Sequence, residues 1–325
     1  MHQMAFHQSP LNEFYDKKAA AQELETQIQA RLAEPQDYSG HGIPQLGNLQ
    51  LNKVAIFSNG EPQKWSLVFD TANDKPVQEL VLSVQGILRW RDLPPVTGTR
   101  DRLQGRLLAL RQQVDIVGLG SSAFVKSLDK IQDIHELFSR TVPNDKLLPW
   151  SPESYADGVA ISAANRYFTL TRFAGDEASV PLDEICDPTG MLRALTLDGL
   201  SHTEDNEVKY FTCATSPTGS KTYESSVPSA FKVGDIVEIQ MSLIGVPIKD
   251  GSVKMIPKLR ALTMLSSQHT RAANFCRVTA NTAAVRPPKR LRRQTGYEID
   301  TTPDAHRSVR QKTGGDADVQ MTGAV

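Results

Sequence analysis

The sequence predicts an α+β protein with an OB-like antiparallel β-barrel in its C-terminal half. The N-terminal half is mixed α/β, and the C-terminal tail is basic and disordered. Three observations lead there. From about residue 158 onward, short alternating apolar runs are separated by turn residues, the spacing of a barrel or sandwich. Two long alternating runs, Asp235 to Pro247 and Ser252 to Ser266, flank Lys249-Asp250-Gly251, the signature of a β-hairpin. Beyond residue 270 apolar patterning fades into Gly, Thr, Asp, Gln and Arg, a composition that buries too little to order itself.

The elements divide the chain into an N-terminal helix (1–35), a mixed α/β region (36–150), the barrel (158–268) and the tail (270–325). Ser9-Pro10 reads as a helix start, and Leu11, Phe14, Ala21, Leu24, Ile28 and Leu32 follow at three-to-four spacing until Pro35. Lys53 to Phe57 and Trp65 to Phe69 read as short strands. Leu80 to Trp90 alternates as a half-buried strand does and stops at Asp92-Leu93-Pro94-Pro95. Two helices are expected next. One carries Leu103, Leu107, Leu110 and Val114; the other, capped by Ser121 or Ser122, carries Phe124, Leu128, Ile131 and Phe138. Pro143 and Leu148 to Pro152 read as a corner. The remaining barrel strands are expected at Val159 to Ser162, Tyr167 to Phe173, Leu192 to Leu197, Glu207 to Ala214 and Thr222 to Val227. Gly234, at the entry to the longest strand, is expected in a turn or bulge that tolerates no side chain.

Composition narrows the function classes. The net charge is −1, but residues 286–325 hold eight Lys/Arg against five acids, leaving 28 basic and 32 acidic groups in the body. Only the tail looks built for a polyanion. Cys186, Cys213 and Cys276 lack paired spacing, which argues against a disulfide framework or zinc site. The opening MHQMAFHQSP has no apolar core of signal-peptide length, and no run approaches the roughly 18 apolar residues of a membrane span. The expected setting is the nucleus, with the cytoplasm as the alternative.

The runs HTEDNEVKYF (His202 to Phe211), FKVGDIVEIQ (Phe231 to Gln240) and KLRALTML (Lys258 to Leu265) resemble a group of proteins of mushroom-forming fungi. The resemblance spans about the central two-thirds of the chain. That group has no established activity, so the resemblance implies no catalytic residue and no cofactor.

Three local patterns carry candidate chemistry. Gly118, Gly120 and Ala123 match G-x-G-x-x-A ahead of a helix, the arrangement that cradles a pyrophosphate. The surroundings contain no βαβ unit, so a nucleotide-dependent enzyme using the Gly118-Gly120 loop is the lesser alternative, and a tight turn between two helices is the simpler account. His202, Glu204 and Asp205 could bind a metal or move protons, but no further histidine or cysteine is spaced to join them; a polar turn explains them equally well. Pro287-Pro288-Lys289-Arg290-Leu291-Arg292-Arg293 sets four cations in five positions, a cluster that a nuclear import receptor reads or that holds phosphates.

The leading expectation is a nuclear, non-enzymatic binding protein without cofactor or metal. Its barrel would bind single-stranded nucleic acid through Tyr167, Phe168, Tyr210 and Phe211, with Lys254, Lys258 and Arg260 on the backbone, while Lys289, Arg290, Arg292 and Arg293 direct import. The alternative is a protein–protein interaction module with no nucleic-acid binding. Residues 158–268 contain ten Lys/Arg and thirteen Asp/Glu, more acidic than a nucleic-acid barrel usually is.

Overall fold

The computed structural model describes residues 11–34, 42–60, 63–70, 77–96, 106–175, 177–195, 199–215 and 221–284. They form a mixed α+β fold around a closed five-stranded barrel. The strands are β1 (Val54–Asn59), β2 (Lys64–Phe69), β3 (Val81–Asp92), β4 (Arg111–Val117), β5 (Ser154–Tyr155), β6 (Gly158–Arg166), β7 (Thr169–Leu170), β8 (Leu200–Ser201), β9 (Lys209–Thr215), β10 (Lys221–Ser225), β11 (Ile236–Pro247) and β12 (Val253–Ser266). The α-helices are α1 (Lys17–Ala33), α2 (Ser122–Thr141), α3 (Met191–Leu195) and α4 (Gln268–Ala284).

The expected hairpin is present: β11 and β12 pair from Ile236–Ser266 to Pro247–Val253. Gly251 sits at φ +80° in the connecting turn, where glycine avoids the Cβ clash that other residues meet. The ring closes in the order β3-β4-β6-β12-β11 and back to β3. Four of its contacts are antiparallel, and β6 meets β12 in parallel at Ala164 and Lys258. The barrel is therefore mixed where the sequence suggested all-antiparallel. It also crosses the expected boundary near residue 150, because β3 and β4 supply two of its five strands. The hairpins β1–β2 and β9–β10 extend the sheet beyond the ring on either side.

The core follows from alternation. Leu82, Val84, Val114, Ile116, Ile161, Ala163, Val237, Ile239, Met241, Leu259 and Leu262 are all buried, and strand neighbours two apart share a face. Gly86 belongs to this packing, since a Cβ there would lie 2.9 Å from two atoms of Ile116. A second cluster gathers Leu107, Tyr167, Phe168, Leu182 and Leu192.

Several elements differ from expectation. Asp16, not Ser9, caps the first helix by accepting from the Ala19 amide at 2.9 Å; Ser9 and Pro10 lie outside the described residues. The stretch holding Leu107, Leu110 and Val114 is a 3₁₀ turn (Leu107–Ala109) followed by β4, not a helix. Val114 and Ile116 alternate into the barrel, and pairing on both sides overrides the helical spacing. Tyr167 to Phe173 is only a two-residue strand and a 3₁₀ turn, and Leu192 falls in the short helix α3 rather than in a strand. Helix α4 covers 268–284, part of the stretch expected to be disordered; it is anchored by buried Thr270 and Ala273. The rest of the tail lies outside the described residues.

Candidate functional site

The seven residues expected to bind nucleic acid are not one surface. Tyr167 and Phe168 are fully buried in the second cluster. Tyr210 is buried too; its hydroxyl donates to Gln112 Oε1 at 2.5 Å and its ring packs 5.9 Å from that of Phe231. None of these three can offer a ring to a base. The reason is the strand period: Tyr210 and Phe211 are neighbours and point to opposite faces, so only half-buried Phe211 reaches the outside.

The cations are reassigned for a related cause. Between Gln240 and Met241 the β11–β12 register slips, leaving Arg260 as an extra residue. Such a bulge re-aims side chains. Arg260 donates to Asp205 Oδ1 at 2.8 Å and to Glu79 at 2.6 Å, and Lys258 donates to the other oxygen of Asp205. Their side chains are only 17% and 12% exposed, so both charges are already matched inside the protein. Burial would raise the carboxyl of Asp205, but Lys258 and Arg260 outweigh it and hold the group at about 2. Lys254 is exposed on β12, one residue beyond its start. Lys289, Arg290, Arg292 and Arg293 lie outside the described residues.

Asp205 is thus an ion-pair partner of Lys258 and Arg260. His202 is buried, with Nδ1 2.7 Å from the Tyr167 carbonyl, so that nitrogen carries the proton and donates. Thr203 and Asn206 close a capping box between them. Among the described residues no group of three His, Cys, Asp or Glu is placed to hold a metal.

The glycine motif joins a strand to a helix, β4 to α2, rather than two helices. Its anion position is taken by the protein itself. The carboxylate of Glu25, on α1, accepts from Ser121 Oγ at 2.5 Å and from the Ala123 amide at 3.5 Å, just where the first turn of α2 has spare N–H groups. Those bonds, led by that of Ser121, lower the Glu25 carboxyl below its usual range. Gly118 is required by packing, because a Cβ there would lie 2.6 Å from the Phe124 side chain. The next barrel strand after α2, β6, runs antiparallel to β4, so this motif does not open a βαβ unit of the dinucleotide-binding kind.

Two outer surfaces remain. The first is a groove over β3, β11, β12 and β9, in two adjoining parts of about 500 and 620 Å³ that share Gly42, Ile43, Phe211 and Gln240. Its charged lining is Glu34, Glu79, Glu204, Glu207 and Glu238 against Arg31, Lys209 and Arg260. Much of this is internally satisfied: Arg31 holds Glu238 at 2.9 Å, and Glu238 accepts from Gln85 at 2.6 Å, which accepts from Gln45 at 2.6 Å.

The second is the outer face of β3, β4 and β6. Register places Trp90 opposite Asp115, itself opposite Ser162; two rows further on, Arg111 stands opposite Arg166. Trp90 is 40% exposed, and both arginines are exposed. Burial pushes the carboxyls of Asp92 and Asp115 up, with Arg111 pulling Asp92 back and Ser162 and Gln113 pulling Asp115 back. The sequence reading missed this face. Its signal was Arg89-Trp90-Arg91, an aromatic between two arginines.

Comparison with known protein families and with curated proteins finds no match to this chain. Among the described residues no helix is long and apolar enough to cross a membrane.

Proposed function

We propose that the chain is a non-enzymatic binding protein, that its barrel is of the OB type, and that the β3–β4–β6 face takes single-stranded nucleic acid. Numbered along the chain, the ring strands run 1-2-3-5-4-1 with the third and fifth parallel, a Greek-key order of that class. OB barrels bind oligonucleotides on the face of their second and third strands, here β4 and β6. The observation that carries the reading is Arg111 directly opposite Arg166, both exposed, on the same face as exposed Trp90. Like charges in that position repel; a phosphate between them reverses the sign. Four residues of strand separate the Trp90 row from the arginine row, about 13 Å at 3.3 Å per residue.

The expected result is that a labelled oligothymidylate binds at low salt and weakens as salt rises, because phosphate contacts release counterions. Trp90→Ala should lose about 1–3 kcal/mol, the range for one stacked base, and Arg111→Ala with Arg166→Ala should flatten the salt dependence. Fluorescence anisotropy at two salt concentrations measures both. Absence of binding at low salt overturns the reading.

One observation favours a second reading. The groove lined by Ile43, Phe211 and Tyr223 carries more carboxylates than cations, which suits a polypeptide with basic side chains. A labelled lysine- and arginine-rich peptide, titrated the same way, should bind where the oligonucleotide does not if this reading holds.

The proposal includes nuclear residence, with Lys289, Arg290, Arg292 and Arg293 as the import signal. Fused to a large inert reporter, the chain should accumulate in nuclei, and changing all four residues to Ala should abolish that. Equal distribution of the two fusions would sink it.

A further inference from the structure

In β3 the register against β4 passes from Leu88–Ile116 to Trp90–Asp115, which leaves Arg89 as the additional residue of a bulge. A bulge sets two residues of one strand against one of the other and turns their side chains together. Arg89 and Trp90 consequently share the Asp115 position. Trp90 stays open to solvent, whereas Arg89 is only 6% exposed, its guanidinium carbon 3.3 Å from the centroid of the Tyr155 ring. Tyr155 comes from β5, and its hydroxyl is engaged by Glu153.

The guanidinium is held by that stack and by little else. Its Nε is buried with no hydrogen-bond partner, and among the described residues no carboxylate lies within 4.0 Å of it. Asp115 feels its charge but is taken up by the Ser162 hydroxyl at 2.7 Å and the Gln113 amide at 3.5 Å. Buried polar groups are nearly always hydrogen-bonded, and an exception calls for an explanation. A planar guanidinium fixed on an aromatic face is pre-organised for a bidentate oxyanion. Arg260 on β12 and Arg31 on α1, by contrast, both have carboxylate partners.

We propose that Arg89 is a phosphate-binding group and that Arg89, Tyr155 and Trp90 form a nucleotide subsite, the guanidinium taking the phosphate and the Trp90 indole stacking the base. This rests on the reading of the β3–β4–β6 face as a nucleic-acid interface, and it adds which side chain meets the phosphate. The phosphate can belong to a strand or to a free nucleotide, so three probes are used: inorganic phosphate, thymidine 5′-monophosphate and a labelled oligothymidylate.

Each is titrated against the full chain and against Arg89→Met, which keeps an unbranched apolar side chain at the position and removes the charge and the guanidinium stacked on Tyr155. Oligonucleotide affinity should fall about tenfold, as expected for loss of a charge-assisted hydrogen bond. The slope of log K against log salt should fall by about 0.7, the value for one single-strand phosphate contact. A variant that merely loosened the fold would leave that slope unchanged. Binding of the mononucleotide alone, dependent on Arg89, supports the subsite and ends the single-strand reading. Oligonucleotide binding with the same affinity and slope in Arg89→Met ends the subsite and leaves that reading standing. Binding of none of the probes by the wild type overturns both. If Arg89→Met fails to fold, the Nε–Hε resonance of Arg89 in the wild-type chain decides: it should shift on adding phosphate, and a fixed resonance refutes the proposal.

Discussion

Replacing Asp205 with Asn is expected to lower stability by about 3 kcal/mol, at the lower end of the range for breaking a buried ion pair from one side. Asp205 holds Lys258 and Arg260 together, and both are largely buried. Arg260 keeps Glu79 in the variant, at 2.6 Å. Lys258 keeps nothing comparable: burial already pushes its ammonium down, and the carboxylate of Asp205 is the main opposing pull. Urea denaturation gives the difference. Lys258→Met in the same chain should recover most of the loss, because the penalty comes from the orphaned charge and not from the missing bond. A loss below 1 kcal/mol in Asp205→Asn would refute this account.

The pH dependence has a defined sign. The folded carboxyl of Asp205 stands at about 2, below its ordinary 3.8. The folded state therefore binds fewer protons than the unfolded state between those values, and stability falls as pH falls. The Asp205 contribution is complete above about pH 4 and lost as pH drops through 2, some 2 kcal/mol in all at 1.36 kcal/mol per unit. Asp205→Asn should lack this part of the acid transition.

Gly234→Val is the second large effect, expected at more than 2 kcal/mol. Gly234 has φ +100°, and a Cβ there would lie 2.9 Å from both Thr270 Oγ1 and Tyr15 Cε2. A β-branched side chain meets two obstacles. The backbone conformation alone costs about 1–3 kcal/mol, and the contacts then force apart a packed junction. That junction is bonded through the same residue: Tyr15 donates to the Gly234 carbonyl at 2.7 Å, and the Gly234 amide donates to Leu88 at 2.8 Å. Gly251→Val is the control. Its φ is +80° but nothing lies within 4 Å of its Cβ position, so it should show the strain without the clash. Equal melting temperatures for the two variants would mean that packing around Gly234 adds nothing.

The two predictions differ in how far they could be read before the structure. Gly234 was legible because Val-Gly-Asp ahead of an alternating run is a local signal, and backbone sterics act over a few residues. The β11–β12 hairpin was legible for the same reason: two long period-two runs around Lys249-Asp250-Gly251 specify their own partner. The barrel itself was only half legible. Alternation in Leu80 to Trp90 marked a strand but not its neighbours, and across 107–117 the weak helical spacing of Leu107, Leu110 and Val114 competed with alternation until pairing of Arg111–Val117 with β3 and β6 decided it.

What the sequence determined by itself was the class of the protein, the hairpin, the turn glycines and the asymmetry of charge between body and tail, all consequences of steric and hydrophobic patterns that act within one element. Which aromatic faces inward, and which cation is already matched, were decided by tertiary structure alone. Tyr210 and Phe211 look equivalent in the chain, yet one closes on Gln112, 98 residues away, and the other opens on the groove. Arg260 meets Glu79 across 181 residues, while Arg89 is stacked on a tyrosine. A period-two pattern names two faces without saying which is inside, and an ion pair between distant segments leaves no trace in the spacing of either.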